Sequence, residues 1–204
     1  MKKLGILCVF LLLIISVFAS GCGSVGVEAE GNAKAKPVVE GDSAGAEKLI
    51  RSYYESEVTK DEKFLNSFFY SPTTADTGML KKRLEAFKIT KMEFGKLYNV
   101  KKNNKFEVVT CTFNVYFQGI KEPRPDYEIV PLIHENGKWF ILNDYGKMTD
   151  EDSKWLTNTM QQEHDGIIKN PDLKNLLDQK AKFDEDNKSF MDQGENAFNV
   201  LSGN

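Results

Sequence analysis

The spacing of apolar residues changes once along this chain, from the period of a helix to that of a strand. Between residues 46 and 87, apolar side chains recur every three or four positions and predict three amphipathic helices. From residue 106 to 117 the pattern alternates, as it does along a β-strand. One face of that strand is predicted to carry Val109, Cys111, Phe113, Val115 and Phe117. Helices followed by a run of strands predict an α+β fold, because alternating βα units would interleave the two.

The rest of the strand region predicts an antiparallel meander. A long first strand covers residues 88–100, and a proline-containing loop is expected over residues 119–126. Residues 127–134 are apolar on both faces and predict a covered, central strand, in which Pro131 indicates a bulge or an edge position. Asn136-Gly137 favours the positive φ values of a type I′ turn, which would join this strand to the last one.

Two helix starts follow the strands. Thr149 precedes three acidic residues, and Asn170-Pro171-Asp172 combines a cap, a proline at the first helical position and an acid. The second helix is predicted to run to Phe190 with an apolar stripe formed by Leu173, Leu176, Leu177, Phe183 and Phe190. Burying such side chains contributes about 1.5–3 kcal/mol each, so the stripe must pack on something. We interpret it as a docking face for a partner or a second copy of the chain, with the chain's own sheet as the alternative.

The first 22 residues have the composition of an export signal. Lys2 and Lys3 precede an apolar run over residues 4–18, and small residues at 19–21 stand directly before Cys22. This arrangement resembles the signal of bacterial lipoproteins, in which the cysteine is acylated, for example with palmitate, and becomes the mature N-terminus. The resemblance implies a lipid anchor at Cys22 and a location on the extracytoplasmic face of the cell membrane. An uncleaved membrane anchor is the alternative.

Four segments are predicted: a signal peptide at 1–21, a flexible tether at 22–45, an α+β domain at 46–147 and a C-terminal helical extension at 148–204. With the hairpin residues Gly137-Lys138-Trp139-Phe140, the α+β domain resembles the nuclear transport factor 2-like superfamily, which has a cystatin-like cone. The resemblance implies a curved antiparallel sheet wrapped around the N-terminal helices. Because the superfamily includes dehydratases, isomerases, cyclases, binding modules and scaffold domains, it does not select a function.

An enzyme on such a cone needs ionisable side chains that point into it. Five residues are candidates for lining a pocket: Tyr53, Tyr54, Tyr116, Asp144 and Tyr145. His134 is predicted at a hairpin turn and His164 at a helix end, where neither has the spacing of a metal ligand. Cys111 lies among large apolar residues and is predicted to be an inert core thiol. No phosphate-binding loop or nucleophile elbow is present, so no catalytic, cofactor-binding or metal-binding residue is assigned.

Charge is divided unevenly, with a net charge of +3 over residues 46–148 and −6 over residues 149–204. An exported, acidic chain does not fit a nucleic-acid partner. The leading hypothesis is a non-enzymatic, lipid-anchored binding or scaffold protein without a cofactor. Its partner would be a protein, an envelope component, a small apolar ligand or a second copy. The alternatives are an enzyme that uses the cone as a pocket and a scaffold subunit of a secretion or conjugation machine.

Overall fold

The strands form one antiparallel meander, in the order β1-β2-β3-β4, in a computed structural model that describes residues 43–146 and 148–203. They are β1 (Ile89–Asn103), β2 (Phe106–Phe117), β3 (Arg124–Glu135) and β4 (Lys138–Ile141). The α+β class predicted from the sequence is confirmed. The predicted signal peptide, Cys22 and the tether up to residue 42 lie outside the described residues.

Six helices flank this sheet in the described part of the chain. They are α1 (Ser43–Glu57), α2 (Glu62–Asn66) and α3 (Thr77–Ala86) before the strands, and α4 (Asp150–Ile167), α5 (Pro171–Asp186) and α6 (Lys188–Ser202) after them. Four helix starts are capped by a side chain that accepts a backbone N–H two or three positions on: Asp61, Asp76, Thr149 and Asn170. Among residues 43–146 and 148–203, no helix has both the length and the hydropathy needed to cross a bilayer.

Side chains on β2 point alternately to two faces of the sheet, and both faces are covered. The inner face is the one that carries Cys111 and Phe113. Helix α1 packs on it through Leu49, Ile50 and Tyr54, all at most 2% exposed. The predicted face is confirmed, because all five of its residues belong to this core: Val109, Cys111, Phe113, Val115 and Phe117.

The outer face of the sheet is covered by α4. Leu156 of this helix packs with Phe106 and Val108 in a second apolar cluster. A polar contact accompanies it, since the carboxylate of Glu163 accepts hydrogen bonds from Thr110 Oγ1 at 2.9 Å and from Asn99 Nδ2 at 2.8 Å. Burying Glu163 is therefore compensated on the outer face by two donors.

The last two helices complete the inner face. Phe183 of α5 stacks on Phe117 with ring centroids 5.6 Å apart, and Phe190 of α6 meets the same ring edge-on at 5.5 Å. Helix α6 also packs against α3. There Gly194 lies so close to Phe87 that an added Cβ would stand 2.4 Å from its Cδ1 atom. Helices α5 and α6 therefore share one core with α1 and the sheet.

Strand β3 differs from its prediction at its start. It begins at Arg124, inside the segment 119–126 that is expected to be a loop. No bulge occurs at Pro131, because the register with β2 is continuous there. Pairing with β4 begins at Leu132, and just after β4 the Leu142 N–H donates to the Pro131 carbonyl at 2.9 Å. Neither predicted alternative for Pro131 is observed, because it lies on an interior strand in continuous register with β2.

The helix predicted to run from Pro171 to Phe190 is instead two helices. Helix α5 ends at Asp186, and Asn187 adopts a non-helical backbone before α6 begins. The side-chain amide of Asn187 donates to the carbonyl of Phe183 at 2.9 Å, which satisfies one of the last carbonyl groups of α5. The break lets Phe183 and Phe190 reach the same ring of Phe117.

Candidate functional site

Four polar side chains meet under α1 on the inner face: Tyr53, Tyr54, Glu57 and Glu128. We call them the tyrosine–glutamate cluster. Residues three and four apart lie on one side of a helix, so Glu57 lies beside both tyrosines at the end of α1. Glu128 pairs with Cys111 across β2 and β3 and therefore shares the inner face.

Hydrogen bonds connect the cluster across the core. The Tyr54 hydroxyl donates to Glu128 Oε2 in a short hydrogen bond. The thiol of Cys111 lies 3.9 Å from the Tyr54 hydroxyl oxygen and 3.7 Å from the backbone carbonyl oxygen of Glu128. The ring of Tyr54 also stacks on Phe113, with centroids 4.5 Å apart. Tyr54 is thus held by a polar contact at its tip and by an aromatic contact on its ring face.

Glu57 is the most perturbed acid of the cluster. Its side chain is 3% exposed, and its Oε2 atom has no hydrogen-bond partner among the described residues. Burial, and after it the negative charge of Glu128, raises the pKa of Glu57 to about 8. The Tyr53 hydroxyl, Lys81 and Arg83 act in the opposite direction. Glu57 is therefore largely protonated at neutral pH.

The other groups of the cluster are shifted towards their neutral forms too. Burial is the main cause that raises the pKa of Glu128, and Asp126 adds to it, while the Tyr54 hydroxyl and Arg83 oppose it. Burial also raises the pKa of the Tyr54 hydroxyl and of the Cys111 thiol. A thiol that stays protonated is a poor nucleophile, which agrees with the inert role predicted for Cys111.

Beside the cluster lies a largely buried ion-pair network that joins β3 to α5. Arg124, only 2% exposed, binds Asp184 through Nε–Oδ1 at 2.6 Å and Nη2–Oδ2 at 2.9 Å. The same guanidinium contacts Asp126, and Lys180 contacts the other oxygen of Asp126. We call these four residues the Arg124 network. Bidentate geometry and several donors are what a buried ion pair needs to offset its desolvation.

The predicted pocket-lining residues are only partly brought together. Tyr53 and Tyr54 belong to the tyrosine–glutamate cluster. Tyr116 donates to Glu93 at 2.5 Å from a half-buried position. Asp144 accepts a hydrogen bond from the Gly146 N–H at 2.9 Å in the segment after β4, and Tyr145 packs on the outer-face cluster.

The predicted docking stripe is largely covered by the chain itself. Leu173 and Phe183 are 1% and 7% exposed, and Phe190 packs on the inner core. Leu176 and Leu177 are half-buried. The docking of a partner on this stripe remains a prediction. Only Leu176 and Leu177, of its five side chains, are left partly accessible to a partner outside the inner core.

Both histidines lie away from the cluster. His134 is half-buried against Trp139, with ring centroids 4.8 Å apart, and His164 is exposed on α4. Neither His134 Nε2 nor Trp139 Nε1 has a hydrogen-bond partner within the described residues. In that same part of the chain, no group of three or more His, Cys, Asp or Glu side chains could hold a metal ion.

The sequence did not predict the acids and bases of this region. Glu57 follows Tyr53 and Tyr54 at the helical spacing of the apolar face of α1, and this spacing is the signal that indicates its position. Arg124 and Asp126 fall in the segment expected to be a loop, so the sequence did not predict that they alternate with Glu128 along β3.

The sequence matches no protein-family model, and no curated protein is significantly similar to it. The geometry of the described residues is therefore the basis for proposing a function.

Proposed function

We propose that the chain is a non-enzymatic, lipid-anchored binding or scaffold protein on the extracytoplasmic face of the cell membrane, built on a nuclear transport factor 2-like domain. The observation that carries the non-enzymatic part is the filling of the inner face. A cone-pocket enzyme needs open space on that face. The space is instead filled by side chains that are at most 7% exposed: Leu49, Ile50, Tyr54 and Phe183.

The pairing of the charged side chains on the inner face supports the same proposal. Arg124 binds both Asp126 and Asp184, and Lys180 also binds Asp126. The Tyr54 hydroxyl donates a hydrogen bond to Glu128. Groups paired within the chain stabilise the packing of α1 and α5 on the sheet. The anchoring part of the proposal is supported by the export signal and by Cys22. The fold part is supported by helices α1–α3 preceding the antiparallel meander.

One observation favours a second candidate, the cone-pocket enzyme. A buried carboxyl group whose pKa is about 8, as for Glu57, is suited to general acid–base catalysis near neutral pH. Such an enzyme would need α5 and α6 to move away from the inner face to admit a substrate.

Rescue of a strain that lacks the chain separates the two functions. Glu57→Gln and Tyr54→Phe keep the size of each side chain and remove its acid or hydroxyl group. If the chain is a binding or scaffold protein, both variants restore the lost phenotype as well as the wild-type chain does. Loss of rescue by both variants, at wild-type levels of folded protein, would instead favour the enzyme.

Cross-linking of intact cells tests the binding part directly. A membrane-impermeant, amine-reactive cross-linker should join the wild-type chain to a discrete partner or to a second copy. Cys22→Ser, which we expect to be released or left unprocessed, should lose that species, whereas Cys111→Ala should retain it. A wild-type chain that yields only monomer would contradict the proposal.

A further inference from the structure

The groove between the ends of α3 and α6 is open to solvent and largely apolar. Ala86 from the end of α3 lines it together with Ala197, Val200 and Leu201 from α6, and its volume is about 480 Å³. Val200 and Leu201 are 79% and 36% exposed, so the last turn of α6 presents apolar side chains to solvent. An apolar patch beside a groove is typical of an interaction surface.

This patch is the end of the apolar stripe that joins α6 to the core. Phe190 packs on the inner core, and Gly194 lies against Phe87 just after the end of α3. The next residues at helical spacing, Ala197 and Leu201, line the groove instead. The stripe therefore continues beyond the part of α6 that packs on the core.

Two exposed residues of opposite charge also line the groove. Glu85 lies in the last turn of α3, and Lys88 follows that helix. Neither forms an ion pair with another residue of segments 43–146 and 148–203. The groove thus carries one acid and one base that are both available to a second molecule.

The shape and the charges of the groove favour a second copy of this chain as the occupant. A small ligand is usually buried over roughly 70–90% of its surface, which an open groove does not allow. In a two-fold symmetric dimer, a contact between two different residues occurs twice, once in each direction. One acid and one base at the same groove can therefore both be paired across such an axis.

We propose that two copies of the chain associate through the groove between α3 and α6, with Val200 near the two-fold axis and Glu85 of each copy paired with the partner's Lys88. The inference rests on the binding part of the proposed function and names the partner as a second copy. Two chains anchored in one membrane, as proposed through Cys22, have a raised effective concentration, so a small contact area is sufficient.

Cysteine cross-linking in membranes tests the position of the axis. In Val200→Cys, a short bis-maleimide should join two copies into a covalent dimer, because the symmetry places each new cysteine near its counterpart. Ile168→Cys is the matched control, since Ile168 is 67% exposed but follows α4 and does not line the groove. The wild-type chain should give no dimer, because Cys111 is buried and Cys22 is proposed to be acylated. Absence of a dimer in Val200→Cys, or an equal yield in the wild-type chain or in Ile168→Cys, would overturn the proposal.

Exchange of the two charges tests the ion pairs. In the Val200→Cys background, Glu85→Lys and Lys88→Glu each place like charges opposite one another twice, and each should reduce the dimer yield about three- to tenfold. The double variant Glu85→Lys/Lys88→Glu restores opposite charges and should recover the yield. Lys88 has a φ of 51°, a left-handed conformation that disfavours lysine and glutamate alike, so the exchange adds no backbone strain.

A matched charge change elsewhere completes this test. Lys154→Glu on α4 alters the net charge as much as Lys88→Glu does, and it should keep the dimer yield because Lys154 does not line the groove. A double variant that dimerises no better than the single ones, or a Lys154→Glu variant that loses the dimer equally, would overturn the proposal.

The two cross-linkers separate this proposal from the proposed function. If Val200→Cys gives no dimer while the amine-reactive cross-linker still joins the wild-type chain to a different protein, the second copy is wrong and the binding function stands. If neither cross-linker captures any partner, the binding function fails as well.

Discussion

At the scale of single residues, the stacking of Phe113 on Tyr54 should contribute strongly to stability. Phe113 is 8% exposed, and Phe113→Ala should lower the free energy of unfolding by about 3–5 kcal/mol, because it removes a buried aromatic ring and leaves a cavity. Phe64→Ala is the control, since Phe64 is 37% exposed and should contribute much less. Denaturant unfolding of both variants measures the difference. Equal losses would show that Phe113 is not in the core.

Gly194 is the second residue whose replacement has a defined outcome. The methyl group of Gly194→Ala would lie 2.4 Å from Phe87, so α6 or the Phe87 ring must shift, and we expect a loss of about 1–3 kcal/mol. Gly166→Ala is the matched control, because it also lies in a helix and has no atom within 4 Å of the added Cβ. It should be neutral or stabilising by up to about 1 kcal/mol. A neutral Gly194→Ala would contradict the close packing of α6.

The candidate site could be predicted only in part from the sequence at this scale. Tyr53 and Tyr54 were predicted as pocket-lining residues because an enzyme on this fold needs ionisable side chains that point into the cone. Glu57 was not among the predicted site residues, since a charged residue is normally exposed. Its pKa depends partly on Glu128 and Arg83, which are distant in sequence, and no local pattern indicates that they lie near it.

At the scale of elements, the Arg124 network should decide how firmly α5 is held. Arg124→Met keeps much of the side-chain volume but leaves Asp126 and Asp184 without their shared guanidinium. We expect a loss of about 3–5 kcal/mol, because the variant leaves the buried carboxylate of Asp126 and the half-buried one of Asp184 with fewer partners. Amide exchange in α5 should become faster than in β2.

An ion pair on the same helix provides the control for Arg124→Met. Lys182 and Asp186 are joined at 2.7 Å on the exposed side of α5. Lys182→Met should leave stability unchanged within error, because exposed pairs contribute little. If Arg124→Met behaved like Lys182→Met, the buried network would not be what holds α5 on the sheet.

The sequence predicted the starts of α4 and α5 correctly, because Thr149 and Asn170 cap their helices through local hydrogen bonds. The start of β3 was wrong, since Pro123 and Pro125 flank Arg124 and indicate a loop. Prolines are tolerated there because β4 pairs with β3 only from Leu132 onward. The start of β3 is paired only with β2, and the proline pattern does not indicate that pairing.

At the scale of the whole molecule, the proposed anchor gives a simple chemical test. In cells supplied with a palmitate analogue that can be tagged, the wild-type chain should be labelled and recovered with the membrane fraction. Cys22→Ser should lose the label, because it removes the acylated sulfur. Cys111→Ala should keep the label, since Cys111 is buried in the core. Labelling that persists in Cys22→Ser would contradict the proposed lipid anchor.

The α+β class and the order of the elements could be predicted because both depend on local periodicity. The covering of the inner face by α5 and α6 could not be predicted, because apolar spacing indicates that a helix has a buried side but does not indicate what covers it. The contacts of Phe183 and Phe190 with Phe117 cross more than sixty positions of the chain.

Those same contacts affect how the protein is made. A polypeptide emerges from the ribosome from its N-terminus, so α1 and the sheet are complete before α5 and α6 exist. Until the last helices emerge, the ring of Phe117 lacks the two phenylalanines that cover it in the finished fold. The core therefore cannot be completed before the last two helices have been made. Long-range closure of this kind is slow, and it exposes apolar surface on the newly made chain to chaperones or aggregation.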